Sequence, residues 1–108
     1  MDDLRKERLA INEALFRNVN EALRKGTPEG GTTIGIRCEC ATLGCNRIFD
    51  VPLELYEATR AHPRRFLLLT GHDVPEVERV VAEHPGFAVV EKRAETGDIA
   101  EVTDPRSR

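Results

Sequence analysis

The chain has no tryptophan, one tyrosine and four phenylalanines among 108 residues. Large stacking surfaces are therefore scarce, and the core must come mainly from Leu, Val, Ile and Ala. No stretch approaches the ~18 consecutive apolar residues of a membrane span, so none is expected. The start, Met1-Asp2-Asp3, is acidic and leads into no apolar signal-like run, which fits a cytoplasmic protein. Sixteen basic residues against nineteen acidic ones leave a net charge of −3, so the whole-protein positive field of a nucleic-acid binder is missing. Arg60, Arg64 and Arg65 around Pro63 form a local basic cluster, read as a solvated helix end, and nucleic acid is not favoured as a partner. Gly-rich phosphate loops, a Gly-x-Ser-x-Gly elbow, a His-Glu-x-x-His helix and the zinc-deaminase pattern are all missing.

Cysteine is also rare, yet all three fall within eight residues, in Cys38-Glu39-Cys40-Ala41-Thr42-Leu43-Gly44-Cys45. An odd count argues against a disulfide framework and for a reducing compartment. Three thiolates this close repel one another unless a cation neutralises them, and Zn²⁺ is the usual choice, with iron its competitor. A tetrahedral set needs a fourth donor. Of the three histidines, His72 is preferred because it lies in a Gly-His turn after an apolar run. His84 ranks second and His62 third. The expected site is thus Cys38, Cys40, Cys45 and His72 around one structural zinc per chain, with a sharp turn at Glu39 and backbone freedom at Gly44. A closed shell of three thiolates and an imidazole is a poor Lewis acid, so no catalytic residues are assigned. The alternative is a thiol-based redox sensor or enzyme, with Arg37 and Arg47 lowering the thiol pKa values.

Residues 2–25 read as one helix, capped by Asp2 or Asp3 and ended by Gly26-Thr27-Pro28. At 100° per residue, Leu4, Leu9, Ile11, Leu15, Phe16, Val19, Ala22 and Leu23 share an arc of about 160°, which Arg8 and Asn12 interrupt. This face either packs on its own domain or pairs with a second copy. Residues 27–32 form a flexible connector. Strands are expected at 33–38 and 46–51, then a helix from Pro52 that ends before His62-Pro63. The run at 65–70 reads as a strand buried on both faces at the centre of the sheet. A helix from Asp73 and Pro75 through His84, with Val74, Val77, Val80 and Val81 inside, precedes a last strand at 87–92.

The expected fold is α+β. An N-terminal helix (1–26) serves docking or dimerisation, a zinc-stapled ββαβαβ domain with one sheet follows (33–93), and a loose tail (94–108) ends the chain. The function read from these features is a small cytoplasmic zinc-binding interaction or regulatory module. Its partner would be a protein or a second copy, met through the N-terminal helix.

Arg37-Cys38-Glu39-Cys40, Cys45, the stretch Leu53 to Arg60, Gly71-His72, Pro75 to Val81 and Val89-Val90-Glu91-Lys92 together resemble a group of small actinobacterial proteins. The likeness runs from the first helix to Lys92. It implies a shared fold and a shared Cys/His site, and nothing about task. Members of that group carry acidic residues and proline between the second and third cysteines, where Ala41-Thr42-Leu43-Gly44 stand here.

Overall fold

The structure, a computed structural model, describes residues 3–28, 30–42 and 44–107. Asp2 as a helix cap, Glu29 of the connector, Leu43 of the cysteine turn and Arg108 of the tail lie outside the described residues. The chain is α+β, as expected. In order it runs α1 (Asp3–Lys25), β1 (Thr33–Arg37), β2 (Ile48–Pro52), α2 (Leu53–Arg60), β3 (Arg65–Leu69), β4 (Glu78–His84), β5 (Phe87–Lys92) and α3 (Ala94–Val102), followed by a 3₁₀ turn at Pro105–Ser107. None of these helices is long and apolar enough to cross a membrane.

Two antiparallel sheets replace the single expected one: the hairpin β1-β2 and a three-stranded sheet in the order β3-β5-β4. The expected helix ending at His84 is β4. Its valines at three- and four-residue spacing do satisfy a helical period, and one turn does form, with Val77 N–H and Glu78 N–H both donating to Val74 O. There the turn stops. Glu78, Val80 and Ala82 pair with Lys92, Val90 and Val89 of β5, with a bulge between Val80 and Ala82. Pro85-Gly86, which follows the end expected for that helix, is the tight turn joining β4 to β5. Gly86 takes φ 84°, which a proline-then-glycine turn requires of its second residue.

The run at 65–69 is indeed buried on both faces, yet β5 and not β3 is the central strand. Phe66 and Leu68 pack with the three cysteines, Ala88, Val90 and Ala100 on one side. Leu67 packs on the other with Ile34, Ile36, Val51, Tyr56 and Val89. Period-2 alternation thus divides the core into two clusters, with β3 between them.

Residues 94–102, expected as loose tail, form α3. Polar contacts that no local pattern announces hold it: Thr96 Oγ1 donates to Val77 O at 3.1 Å, and Arg17 Nη2 to Ala100 O at 2.8 Å. Beyond it, Asp104 is buried and ion-paired with Arg60. Arg60 is itself 1% exposed and also binds Glu21 at 2.6 Å, so it is no solvated helix end. Arg64 pairs with Asp98 and Glu101, and Arg65 with Glu91.

α1 turns most of its apolar arc outward, with Phe16 at the edge of the arc turned in and Leu9 half-buried. Its buried side carries Ala10, Ala14 and Phe16 together with Glu13, Arg17, Asn20 and Glu21. Leu4, Ile11, Leu15, Val19 and Leu23 are exposed. Each residue of the polar inner face has a partner, although Glu13 Oε2 and Arg17 Nε make no hydrogen bond. Arg17 lies over the Phe66 ring and donates to Pro63 O at 2.7 Å, while Glu13 and Glu78 share the buried ammonium of Lys92.

Two carboxyls face one ammonium there, so one carboxyl is in excess. Burial pushes Glu13 well above the usual carboxylate range; Lys92 opposes the shift and Glu78 adds to it. The folded state therefore holds the Glu13 proton more tightly than the unfolded chain does. That stabilisation is complete below the ordinary carboxylate range and is lost as pH rises through the raised folded value. Glu13→Gln, permanently neutral, should not lose it. Urea midpoints of wild type should fall relative to the variant from about pH 5 upward; parallel curves would contradict the assignment.

Candidate metal centre

β1 delivers the first ligand residue and sets the phase of the second. Past Arg37, residues 38–40 carry no turn or bend, and Cys38 N–H donates to Arg47 O at 2.9 Å. The sharp turn expected at Glu39 is not there and is not needed. In an extended segment, residues two apart share a side, so Cys38 and Cys40 lie together and Glu39 lies opposite. The chain bends back after Cys40, and Cys45 N–H closes onto Thr42 O at 3.0 Å. Arg37 Nη2 fastens this turn through Cys45 O at 3.1 Å, and Asn12 of α1 through Ala41 O at 3.3 Å. His72 arrives from the far end of β3, where Gly71 adopts φ 86° and His72 N–H donates to Leu69 O.

One donor atom from each of Cys38, Cys40, Cys45 and His72 lies within 4.8 Å of every other, so the four could hold a metal ion. His72 Nδ1 is 3.6 Å from Cys38 Sγ and 3.8 Å from Cys45 Sγ. Tetrahedral ligands on Zn–S bonds of about 2.3 Å and Zn–N bonds of about 2.0 Å stand roughly 3.5–3.8 Å apart. The donor set fits such an ion. Cys38 and Cys40 are fully buried and Cys45 is 8% exposed. Hydrogen bonding from Cys38 holds Cys40 down to about 4, helped by His72, while the same contact and burial push Cys38 up. Leu69 N–H donates to Cys38 Sγ at 3.2 Å, the orienting contact a thiolate ligand needs.

The other two histidines stay away from this cluster. His84 ends β4 and stacks on Phe87 with ring centroids 4.8 Å apart. His62 is exposed after α2.

The residue that the sequence reading passed over is Glu39. It is fully buried between two ligand positions. Its N–H donates to Leu67 O at 2.9 Å, and its Oε1 accepts from Leu67 N–H at 2.8 Å. Oε2 accepts from Asn20 Nδ2 at 2.8 Å, and the Asn20 side chain also brackets the Arg37 backbone. Burial raises the Glu39 pKa, while Asn20, the Leu67 N–H, Arg60 and Arg17 pull it back. A glutamate between two clustered cysteines, with an asparagine near the end of an apolar helix, is the only trace of this in the sequence.

No family model, curated protein or solved structure matches the chain.

Glu39→Gln tests the link between this carboxylate and the cluster. It replaces an acceptor by an amide of the same shape, whose NH₂ opposes either Leu67 N–H or Asn20 Nδ2. Stability should fall by about 1–3 kcal/mol. Metal content should persist with affinity weakened by about 10-fold, the usual result of disturbing an outer-shell partner. Unchanged denaturation midpoints would refute the linking role.

Proposed function

We propose that Cys38, Cys40, Cys45 and His72 hold one structural Zn²⁺, and that the chain is a non-catalytic interaction module with a regulatory role. The observation that carries this reading is the closed donor set: four donors within 4.8 Å, at the margin of an apolar cluster. A filled tetrahedron leaves no position for substrate or activated water, and three thiolates quench the Lewis acidity that catalysis requires. Glu39, the nearest carboxylate in sequence, is engaged by Leu67 and Asn20 and is not free to act as a base. A thiol redox sensor would need accessible sulfur, whereas two of the three cysteines are fully buried. What the module offers a partner is the outer face of α1.

Elemental mass spectrometry on protein purified without added metal is the test, with Cys40→Ser and His72→Ala beside wild type. About one zinc per wild-type chain is expected, lost in both variants together with several degrees of thermal midpoint. Metal-free wild type with three titratable thiols would overturn the zinc reading and favour the redox sensor.

A further inference from the structure

The outer stripe of α1 repeats as a heptad. Leu4, Ile11 and Asn18 are spaced by seven, as are Arg8, Leu15 and Ala22, and all six are exposed. Leu4 is 58% exposed, Ile11 51% and Leu15 53%, against an inner face that is closed. This reverses the usual economy of a surface helix, which keeps its apolar stripe inside. With Val19 at 37% and Leu23 at 42%, five large apolar side chains of one helix stand in solvent together, the kind of contiguous patch that marks an interaction site.

We infer that α1 pairs with α1 of a second copy of this chain, antiparallel, in the register that sets Ile11 against Leu15. In that register Leu4 meets Ala22, so every apolar residue of the heptad faces another. The two polar interruptions, Arg8 and Asn18, then face each other, and the guanidinium donates to the amide oxygen. A parallel pair would stack Arg8 on Arg8, which costs energy by like-charge repulsion at a seam position. The antiparallel arrangement also sets the acidic first turn, Asp3, beside the exposed Lys25 in the basic last turn of the other copy. The inference names the partner of the interaction reading above. It does not depend on which metal the cysteines hold.

Sedimentation equilibrium of the full, metal-replete chain from low micromolar to several hundred micromolar concentration tests it. Wild type should show a reversible monomer–dimer equilibrium. Ile11→Asp and Leu15→Asp, both at exposed positions, should be monomeric with unchanged far-ultraviolet circular dichroism and metal content. Asn18→Glu sets the direction. In the antiparallel register it faces Arg8 and should tighten the dimer several-fold, whereas in a parallel pair it would face itself and weaken it. A wild type that stays monomeric throughout assigns the stripe to a different protein and overturns the inference, as does association that survives Ile11→Asp. Weakening by Asn18→Glu overturns the register.

Discussion

The carboxylate of Glu39 is the contact on which the two halves of the domain depend. β3 is an edge strand, and an edge strand exposes unpaired N–H and C=O groups. Glu39 closes that edge with its own N–H on Leu67 O and its Oε1 on Leu67 N–H, while Cys38 Sγ accepts from Leu69 N–H. Segment 38–39 thereby works as a partial fourth strand, built half from backbone and half from side chains. It joins the two sheets. Burying a carboxylate without partners would cost several kcal/mol. Here Leu67, Asn20 and the neighbouring guanidiniums of Arg60 and Arg17 offset that cost. Alternation then presents the flanking cysteines to the opposite side, so the donor cluster and the sheet junction are two faces of one three-residue segment.

The same economy explains why α1 is polar inside. Apart from the Phe66 ring under Arg17, it meets little of the apolar sheet surface. It covers chain ends and a turn, whose unpaired backbone groups need donors and acceptors. Asn20 takes both the N–H and the C=O of Arg37, Asn12 takes Ala41 O, and Arg17 takes Pro63 O and the α3 carbonyl at Ala100. Glu21 serves Arg60 and Arg106, which pins the chain after α3. A helix employed this way has its apolar residues left for the other side.

Much of the domain was legible in the sequence because it rests on local signals. The cysteine spacing and the Gly-His turn pointed to the four donors that lie together. Alternation at Ile34 and Ile36 marked β1, and the Pro52 start and the stop before His62-Pro63 bounded α2. Failures came where tertiary contacts decide between two locally acceptable readings. Val74, Val77, Val80 and Val81 satisfy a helical period, but pairing with β5 selects a strand with a bulge. Ala94–Val102 carries Gly97 in its interior and little apolar periodicity, and it is a helix because Val77, Arg17 and Arg60 secure it and the residues after it. For α1 the arc was found, but its direction was not. Hydrophobicity identifies a face without saying whether the chain itself supplies the cover.

A magnitude decides how the metal and the fold depend on each other. His72 and Cys45 are separated by 27 positions, and closing a loop of that size costs roughly 3 kcal/mol in chain entropy. Against that cost, the hydrogen bonds from segment 38–39 to β3 contribute about 1 kcal/mol each, and packing of the cysteines against Phe66 and Leu68 adds to them. A structural zinc ion binds with an apparent free energy of about 10 kcal/mol or more, well beyond it. With a metal in place, the β3 turn is held to the cysteine segment whatever happens at either hydrogen bond. Without one, the junction rests on the Glu39 and Cys38 hydrogen bonds to β3 and on the apolar cluster that Ile34, Ile36 and Val51 share with Leu67 and Val89. The buried polar hub is thus what the fold uses to bring the donors together, and a bound ion would make that arrangement secure.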